Sequence, residues 1–324
     1  MSTPDGKRAP ILISGCPRSG TTFLGSVFEA SKDCFEIYEP FNSDFTYHLD
    51  LPSRFYRITP ENGPNYRQQV DRLVSLSALT NRLMKLPRGL VDRMRTKKDV
   101  PSALALKKCV QKTRRFFSAQ RVVFKDPIAF FSASWLAETY DANVVLMLRH
   151  PGGVISSYLA LDWKAETPEV IEQIMPSTRA RLTDEIAHWQ AHPDDRIGEL
   201  ILQWKIFTVE TMTLAAANPD WHVVSHEYLC DHPEEVFSTL FEAFGLDFSD
   251  QVQNKIQAST GAGNIVDPKK HTQHNLNRQS KTLKDSWKKR LDAATIDRIT
   301  KEAEPLWKEA LARFYPAEHR RDVA

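Results

Sequence analysis

The sequence predicts an α/β fold, in which helices flank a P-loop-type parallel sheet and a helical cap is inserted between two of the strands. Three observations favour this class. Short apolar runs alternate with segments of helical spacing, as in βαβ units. The first apolar run leads into a glycine loop and then into a helix. A long excursion separates the second predicted strand from the third.

Five short apolar runs have the length and composition of buried parallel strands. They lie at residues 10–14, 34–38, 121–124, 143–148 and 221–225. Because the carboxyl ends of parallel strands meet at one edge of a sheet, we expect the loops that follow these strands to form a common site.

The excursion at residues 41–120 is too long for an ordinary crossover between two strands. Its helical spacing at 66–84 and 103–117 is interrupted by prolines. We therefore expect a helical insertion at about residues 52–120 within a single domain of residues 1–324. Insertions of this kind commonly carry binding residues.

The loop after the first strand has the glycine spacing of a phosphate-binding loop but lacks its lysine. Gly15 and Gly20 fit the pattern GxxxxGK[ST], and Thr21 stands at the lysine position. The cation of this loop is instead Arg18, whose planar guanidinium can hold a tetrahedral oxyanion through two hydrogen bonds without a metal. The loop therefore favours an anion other than a transferable γ-phosphate, which points to sulfuryl transfer.

A second anion site is predicted after the fourth strand. Arg149 ends that strand, and Pro151 with two glycines then opens a helix whose N-terminus favours an anion. Ser157 follows the arginine eight positions later. Two phosphate-binding elements at one sheet edge imply a bisphosphorylated nucleotide.

These motifs resemble those of the sulfotransferases that use 3′-phosphoadenosine-5′-phosphosulfate (PAPS), among them bacterial, carbohydrate and tyrosylprotein enzymes. PRSGTT is similar to the family's 5′-phosphosulfate loop, and the arginine–serine pair to its 3′-phosphate element. The resemblance implies PAPS as the cofactor, 3′-phosphoadenosine 5′-phosphate as its product and no required metal. The residues implied to bind PAPS are Arg18, Ser19, Gly20, Thr21, Thr22, Arg149 and Ser157.

The end of the third strand, Lys125–Asp126–Pro127, resembles the same segment of tyrosylprotein sulfotransferases. In that family the lysine approaches the bridging oxygen and the transferred sulfonate, where an ammonium stabilises the charge left on the departing phosphate. We expect Lys125 and Arg18 to be catalytic, with Asp126 orienting or neutralising Lys125. A surface ion pair at a strand end is the alternative interpretation.

A carboxylate is the expected general base. Glu39 follows the second predicted strand, on the same sheet edge as the phosphate loop. The segment around Glu39 resembles the FEP element of carbohydrate 6-O-sulfotransferases, and its spacing from Arg18 matches that of the base in tyrosylprotein sulfotransferases. Small-molecule sulfotransferases commonly use a histidine, so His48 is the competing candidate.

The C-terminal third carries less specific resemblances. Residues 274–287 are similar to the basic loop that closes over PAPS, so we expect a cofactor-covering loop at about residues 261–290. Arg278 and Ser280 are its candidate phosphate ligands, with a solvated loop as the alternative. The segment SHEYL resembles the YED element near the adenine, but His226 stands where tyrosine is usual and Tyr228 has the alternative of a core aromatic.

Composition sets limits on class and location. The four cysteines have neither CxxC spacing nor the density of a disulfide scaffold, so we expect reduced thiols and no structural metal. No apolar stretch approaches the roughly 20 residues of a membrane span, and the first ten residues are too short and polar for a signal peptide. We therefore expect a cytoplasmic protein. No binding motif or aromatic-interleaved basic repeat favours a nucleic acid.

The net charge of +2 conceals an asymmetry. Residues 82–125 hold 14 Lys or Arg against two Asp, and residues 269–290 hold 8 against one. Part of this charge must be solvated helix surface. Basic segments beside a polyanionic nucleotide would also raise its local concentration and could recruit an acidic acceptor.

The sequence thus predicts a PAPS-dependent sulfotransferase that transfers a sulfuryl group in line to an acceptor hydroxyl, with a carboxylate base. The acceptor classes left open are a carbohydrate, a glycolipid and a hydroxylated metabolite, the last either free or held by an acidic acyl-carrier protein. A P-loop nucleotide or metabolite kinase with a degenerate loop is the main alternative. A non-catalytic binding protein that retains an old nucleotide site is the other.

Overall fold

A computed structural model of the chain describes residues 9–45, 48–75, 119–260 and 284–315. Its centre is a five-stranded sheet with the strand order β2-β3-β1-β4-β5, in which every neighbouring pair is parallel. The strands are β1 (Ile11–Gly15), β2 (Cys34–Tyr38), β3 (Arg121–Lys125), β4 (Asn143–Leu148) and β5 (His222–Ser225). The predicted α/β class with a parallel sheet is confirmed, and each predicted strand is present to within one residue at either end.

Helices flank this sheet and are numbered in chain order over the described residues. They are α1 (Thr21–Phe28), α2 (Pro64–Val74), α3 (Ala133–Tyr140), α4 (Pro151–Leu161), α5 (Thr167–Gln173), α6 (Pro176–Arg181), α7 (Thr183–Ala191), α8 (Arg196–Ala217), α9 (His226–Asp231), α10 (Pro233–Ala243), α11 (Asp250–Thr260), α12 (Ala293–Glu302) and α13 (Glu304–Phe314). Short 3₁₀ helices occupy Ile128–Ser132 and Ser286–Lys289.

The first strand lies in the middle of the sheet. Ile11 pairs with Val123 of β3 on one side and with Asn143 of β4 on the other, and every residue of β1 is buried. A continuous apolar run is what a strand covered on both faces requires. The loop after β1 therefore opens between the ends of β3 and β4, where the strand order reverses and ligands of open α/β sheets bind.

The longest of the described helices supports the edge of the sheet that carries the second anion site. Helix α8 spans 22 residues, and its Trp204 is almost fully buried. The indole Nε1 of Trp204 donates a hydrogen bond to the backbone oxygen of Arg149 at 2.9 Å. The backbone that presents Arg149 is thereby fixed from the core.

Two sequence predictions lie partly outside the described residues. Within the expected insertion at 52–120, the structure describes an irregular segment followed by α2, which buries Tyr66, Val70 and Leu73. Residues 76–118 lie outside the described part of the chain, and so do residues 261–283 of the expected cofactor-covering loop, with Arg278 and Ser280. Within the ranges the structure covers, no helix combines the length and apolar character needed to cross a membrane.

Candidate active site

The loop between β1 and α1 keeps the start of the helix open for an anion. Arg18 and Gly20 both have positive φ angles, 71° and 103°, and the Ser19 N–H donates back to the Cys16 oxygen at 3.1 Å. Helix α1 then begins at Thr21 with no acidic residue in its first turn, and no side chain of the described residues caps it. Its first N–H groups are therefore not capped by a side chain, and the helix dipole favours a negative group beside them.

Close packing explains the glycine at position 20. A Cβ atom there would lie 2.8 Å from Cδ2 of His226. The positive φ is a second reason, since L side chains rarely adopt it. His226 thus packs directly beneath the anion loop.

The two predicted anion elements are joined by hydrogen bonds. Nε of Arg18 donates to Oγ of Ser157 at 2.8 Å, and Nη1 of Arg149 donates to the backbone oxygen of Arg18 at 2.7 Å. The loop after β1 and the helix after β4 therefore form one cluster. A ligand that reaches one guanidinium is also close to the other.

Both arginines are unusually disposed to accept a negative partner. Burial lowers the pKa of Arg149 to about 10, and the neighbouring cation of Arg18 acts in the same direction. Burial also lowers the pKa of Arg18. An anion bound between them would offset the desolvation and the mutual repulsion of the two cations.

Two buried polar atoms of this cluster have no hydrogen-bond partner among the described residues. They are Oγ of Ser19 and Nε of Arg149. A buried donor without a partner costs about 1–3 kcal/mol. Their position beside an uncapped helix start and two buried guanidiniums fits a polyanionic ligand with two charged groups.

A buried ion pair lies on the other side of the loop. Nζ of Lys125 is 2.6 Å from Oε1 of Glu39, and the two side chains are 1% and 13% exposed. The same Nζ lies 3.3 Å from the centre of the Tyr38 ring. Burial lowers the pKa of Lys125, while the charge of Glu39 raises it. The pair therefore keeps a cation in a low-dielectric pocket at the end of β3.

Both oxygens of the Glu39 carboxylate are held. Lys125 occupies Oε1, and Nδ2 of Asn42 donates to Oε2 at 2.9 Å. The Glu39 backbone has a φ of 44°, with its N–H bonded to the Lys125 oxygen at 3.0 Å. The carboxylate is thus fixed in orientation, and Asn42 is a contributor that the sequence motifs did not reveal.

Asp126 makes its hydrogen bonds away from Lys125, although its charge still acts to raise the pKa of that lysine. Its Oδ2 accepts from the Phe41 N–H at 2.6 Å, and its Oδ1 accepts from the N–H groups of Ile128 and Ala129 at 2.8 and 3.2 Å. Burial raises its pKa to about 7, and the charge of Glu39 adds to this effect. Asp126 therefore fastens the loop that carries Glu39, while the hydrogen bond of Lys125 goes to Glu39.

One cavity of about 680 Å³ joins the anion cluster to the ion pair. The predicted site residues that line it are Arg18, Gly20, Thr21, Thr22, Glu39 and Arg149. Ser19, Ser157 and Lys125 do not line the cavity. Ser157 and Lys125 are each hydrogen-bonded to a residue that does, and Ser19 lies between two lining residues in the loop. His48 is exposed and outside the lining, with Nδ1 at 2.6 Å from the Phe45 oxygen. The structure thus brings Glu39 and not His48 to the cavity.

Of the two residues considered near the adenine, one lines the cavity and the other is buried in the core. His226 lines the cavity, as its position in the SHEYL segment suggests. Tyr228 is buried, stacks on His232 at 4.4 Å and donates to Glu235 at 2.9 Å. Tyr228 is therefore the core aromatic that was the alternative interpretation of this segment.

The sequence motifs did not predict three further residues that line the cavity. Tyr38, Asn42 and Trp163 line it beside the predicted residues. The Trp163 ring lies 5.2 Å from the Arg18 guanidinium carbon. Their positions depend on how the loops after β2 and α4 meet across the sheet, which no local pattern encodes.

Comparisons with known proteins agree with the motifs. A model described as the sulfotransferase family matches residues 10–250. No curated protein matches this chain.

Solved structures of low identity also resemble the chain. The sulfotransferase domain of the Synechococcus PCC 7002 olefin synthase is 16% identical, with 98% of this chain and 99% of that chain covered and a TM-score of 0.47. STF9 from Mycobacterium avium is 13% identical, with 95% and 77% covered and a TM-score of 0.41. Mouse SULT7A1 complexed with PAP is 11% identical, with 100% and 89% covered and a TM-score of 0.41.

Proposed function

This chain belongs to the sulfotransferase family, and from that premise we propose that it transfers the sulfuryl group of PAPS to a hydroxyl group of an acceptor. One observation carries the proposal. A single cavity joins a cluster of two buried arginines to the Lys125–Glu39 ion pair. The arginine cluster suits a nucleotide with two anionic ends, and the ion pair suits the removal of a proton beside a cation.

The residues that would hold PAPS are those of the anion cluster. Arg18 and the N–H groups of the loop and first turn of α1 bind the 5′-phosphosulfate, with the hydroxyls of Ser19, Thr21 and Thr22 beside them. Arg149 and Ser157 bind the 3′-phosphate. The orphaned polar atoms and the lowered pKa of both arginines support this assignment. PAPS supplies the sulfuryl group and its product is 3′-phosphoadenosine 5′-phosphate.

The ion pair performs the proton and charge chemistry. Glu39 accepts the proton of the acceptor hydroxyl while the acceptor oxygen forms its bond to sulfur and the phosphate oxygen gives up its own. Lys125 and Arg18 stabilise the negative charge that develops on the departing phosphate. Asn42 holds the Glu39 carboxylate through a hydrogen bond, and Asp126 fastens the loop that carries Glu39.

The acceptor is a hydroxyl compound, for which carbohydrates, glycolipids and hydroxylated metabolites are the candidate classes. The kinase alternative is not favoured, since the family match covers the loop in which Thr21 replaces the phosphate-binding lysine. Metal-independent donor binding is part of the proposal.

Calorimetry with two nucleotides tests the proposed donor. 3′-Phosphoadenosine 5′-phosphate should bind equally in EDTA and in Mg²⁺, and ATP with Mg²⁺ should bind much more weakly. A preference for Mg·ATP would reject the proposal in favour of a kinase. Incubation with ³⁵S-labelled PAPS and a panel of hydroxyl acceptors then identifies the acceptor class.

A further inference from the structure

Two exposed aromatic side chains lie at the same cavity. Among the described residues, Phe45 and Trp163 are the large hydrophobic side chains that are exposed, at 37% and 36%. Both line the cavity, although Phe45 belongs to the loop after β2 and Trp163 to the loop after α4. Single exposed aromatics are common on protein surfaces, but two that converge on one cavity indicate a ligand-binding surface.

Each of these rings packs against a tyrosine that also lines the cavity. The Phe45 ring packs edge to face on Tyr38 at 4.9 Å, and the Trp163 ring packs edge to face on Tyr158 at 5.9 Å. Tyr158 is itself held by a hydrogen bond from Gln203 at 2.9 Å. The two aromatic walls are therefore parts of the packed structure.

The loop that carries Trp163 is also fixed through its backbone. The Trp163 N–H donates to the backbone oxygen of Tyr158 at 3.0 Å, and Nη2 of Arg196 donates to the backbone oxygen of Trp163 at 3.3 Å. The same Nη2 lies 2.9 Å from Oδ1 of Asp162, whose φ is 52°. A wall that is already ordered in this way loses little conformational freedom when a ligand binds to it.

The charged side chains around these rings disfavour a negative ligand. Apart from Glu39 and the two arginines of the anion cluster, three carboxylates line the cavity, those of Asp44, Asp162 and Glu166, against the cations of Arg54 and Lys164. Arg54 is shared between two of the carboxylates, with Nη1 at 3.1 Å from Asp44 and Nε at 2.7 Å from Glu166. Its charge is already matched within the protein, so it is a poor partner for an acidic acceptor.

We propose that Phe45 and Trp163, with the flanking carboxylates, form an acceptor subsite for a hydroxyl group on a ring that has a flat apolar face and no negative charge. The rings contact the face of the acceptor, and the carboxylates accept hydrogen bonds from its other hydroxyl or amino groups. A pyranose and an aromatic or alicyclic alcohol share this chemistry. The inference rests on the proposed function and replaces the idea of an acidic acceptor with that of a neutral or cationic one.

A matched acceptor panel tests the inference by binding and by turnover. The panel contains methyl glucopyranoside, its 2-amino analogue, its uronate analogue, the open-chain hexitol and 2-naphthol. Each is titrated calorimetrically against the protein saturated with 3′-phosphoadenosine 5′-phosphate, and kcat/KM is measured with PAPS. At least one neutral or cationic cyclic acceptor should exceed both the uronate and the hexitol by about tenfold or more. The preference between pyranoside and naphthol identifies the source of the ring.

Three substitutions separate the ring contact from the charge effect. Phe45→Leu and Trp163→Leu keep an apolar side chain but remove the flat ring, and should each weaken the preferred acceptor by about 3- to 10-fold. Trp163→Phe should restore most of that loss. Asp44→Asn should reduce the discrimination against the uronate, because it removes a negative charge and leaves Arg54 paired with Glu166 alone.

The outcomes distinguish this inference from the proposed function. Failure of 3′-phosphoadenosine 5′-phosphate to bind would reject the proposed function itself. The subsite would be rejected if the nucleotide binds normally but the uronate or the hexitol is bound and turned over as well as the cyclic acceptors. It would also be rejected if the nucleotide binds normally and no cyclic acceptor binds. Because Trp163 also contacts Arg18, nucleotide affinity is measured for every variant, and a loss confined to the nucleotide would assign Trp163 to donor binding.

Discussion

Glu39 is held more tightly than an ordinary surface carboxylate. Its left-handed backbone, with a φ of 44°, costs of order 1–3 kcal/mol for a non-glycine residue. Lys125 and Asn42 occupy its two oxygens, and Asp126 fixes the next turn of the chain through Phe41. Strain that is maintained by so many contacts is typical of a functional group whose orientation matters.

Replacing Glu39 with Gln tests its role as the base. Glu39→Gln keeps the shape of the side chain but removes its capacity to accept a proton at neutral pH. We expect the transfer rate to fall by roughly 10²- to 10⁴-fold, while calorimetry gives an almost unchanged affinity for 3′-phosphoadenosine 5′-phosphate. The acidic limb of the pH–rate profile should disappear in this variant.

His48→Ala is the matched control for Glu39→Gln. His48 is exposed and outside the cavity lining, so its removal should leave rate and pH profile intact. A normal Glu39→Gln enzyme together with an inactive His48→Ala enzyme would assign the base to the histidine.

Arg149 should discriminate nucleotides that carry a 3′-phosphate. Removing a charge-assisted contact of about 1.5–3 kcal/mol by Arg149→Ala should weaken 3′-phosphoadenosine 5′-phosphate by about 10- to 100-fold. Adenosine 5′-phosphate is the comparison ligand, and Arg149→Lys preserves charge without the planar fork. Because Nη1 of Arg149 also holds the Arg18 backbone, an equal loss for both nucleotides would show that Arg149 acts by supporting the loop.

The identity of the site residues was predictable where the chemistry is local, and not where it depends on strand order. Arg18, Thr21 and Arg149 follow from spacing within one strand–loop–helix unit. The pairing of Lys125 with Glu39 does not follow from such spacing. Neighbouring residues along an extended chain point to opposite faces, so the side chain of Asp126 is turned away from that of Lys125. Tyr38 pairs with Lys125 in the β2–β3 register, which brings Glu39 alongside. That register cannot be read from either strand alone.

At the scale of elements, the strands were predictable because burial on both faces makes each one a continuous apolar run. Two strands extend one residue further towards the site than predicted: β1 ends at Gly15 and β3 includes Lys125. Lys125 is polar and Gly15 has no side chain, so neither residue continues the apolar run that predicts the strand. The strand order was not predictable, since it is set by long-range pairing.

Gly15 tests the close approach of β1 and β4. A Cβ atom there would lie 2.5 Å from the backbone oxygen of Met147, and its φ of 142° strains any L side chain. We expect Gly15→Ala to lower the free energy of unfolding by more than about 2 kcal/mol, measured by urea denaturation. Gly245→Ala is the control, because Gly245 has a φ of 62° but a Cβ atom there would meet no atom of the described residues within 4 Å.

The control should cost about 1 kcal/mol, which is the effect of the left-handed conformation alone. Equal effects at the two positions would mean that the sheet relaxes around the added methyl group. In that case the β1–β4 contact is not what demands glycine.

At the scale of the whole molecule, a long-range ion pair ties the C-terminal helices to the helix that supports the site. Asp195 caps α8 by accepting from the Gly198 N–H at 3.0 Å. Its two carboxylate oxygens also accept from Nη1 and Nη2 of Arg298 in α12, at 2.7 and 2.5 Å. Helix α8 in turn fixes the Arg149 backbone through Trp204. A single domain over residues 1–324 remains a prediction, and this pair is one contact that links distant parts of the chain.

Asp195 should make stability depend on acid pH in a defined direction. The hydrogen bonds from Arg298 lower its pKa from 3.8 to about 2 in the folded protein. A carboxyl with a depressed folded pKa stabilises the fold above its unfolded pKa, and this contribution is lost as pH falls through the folded value. Asp195→Asn removes the charge and retains a residue that caps helices well. The variant should therefore be less stable than the wild type from about pH 5 to 7 by urea denaturation, with the difference shrinking between pH 3.8 and about 2.

A substitution of another aspartate in α12 is the control for this experiment. Asp297 forms an exposed pair with Lys301 in α12, with the two side chains 62% and 72% exposed. Exposed pairs contribute little because water and salt screen them, so Asp297→Asn should leave the urea midpoint almost unchanged at every pH. If Asp195→Asn behaves like Asp297→Asn, or if its deficit persists undiminished at about pH 2, the link between α8 and α12 does not depend on the ionised carboxylate. In the first case the Asp195 side chain would act only as the cap of α8, a role that asparagine fills equally well. In the second case the loss would come from the exchange of the carboxyl for an amide and not from the charge.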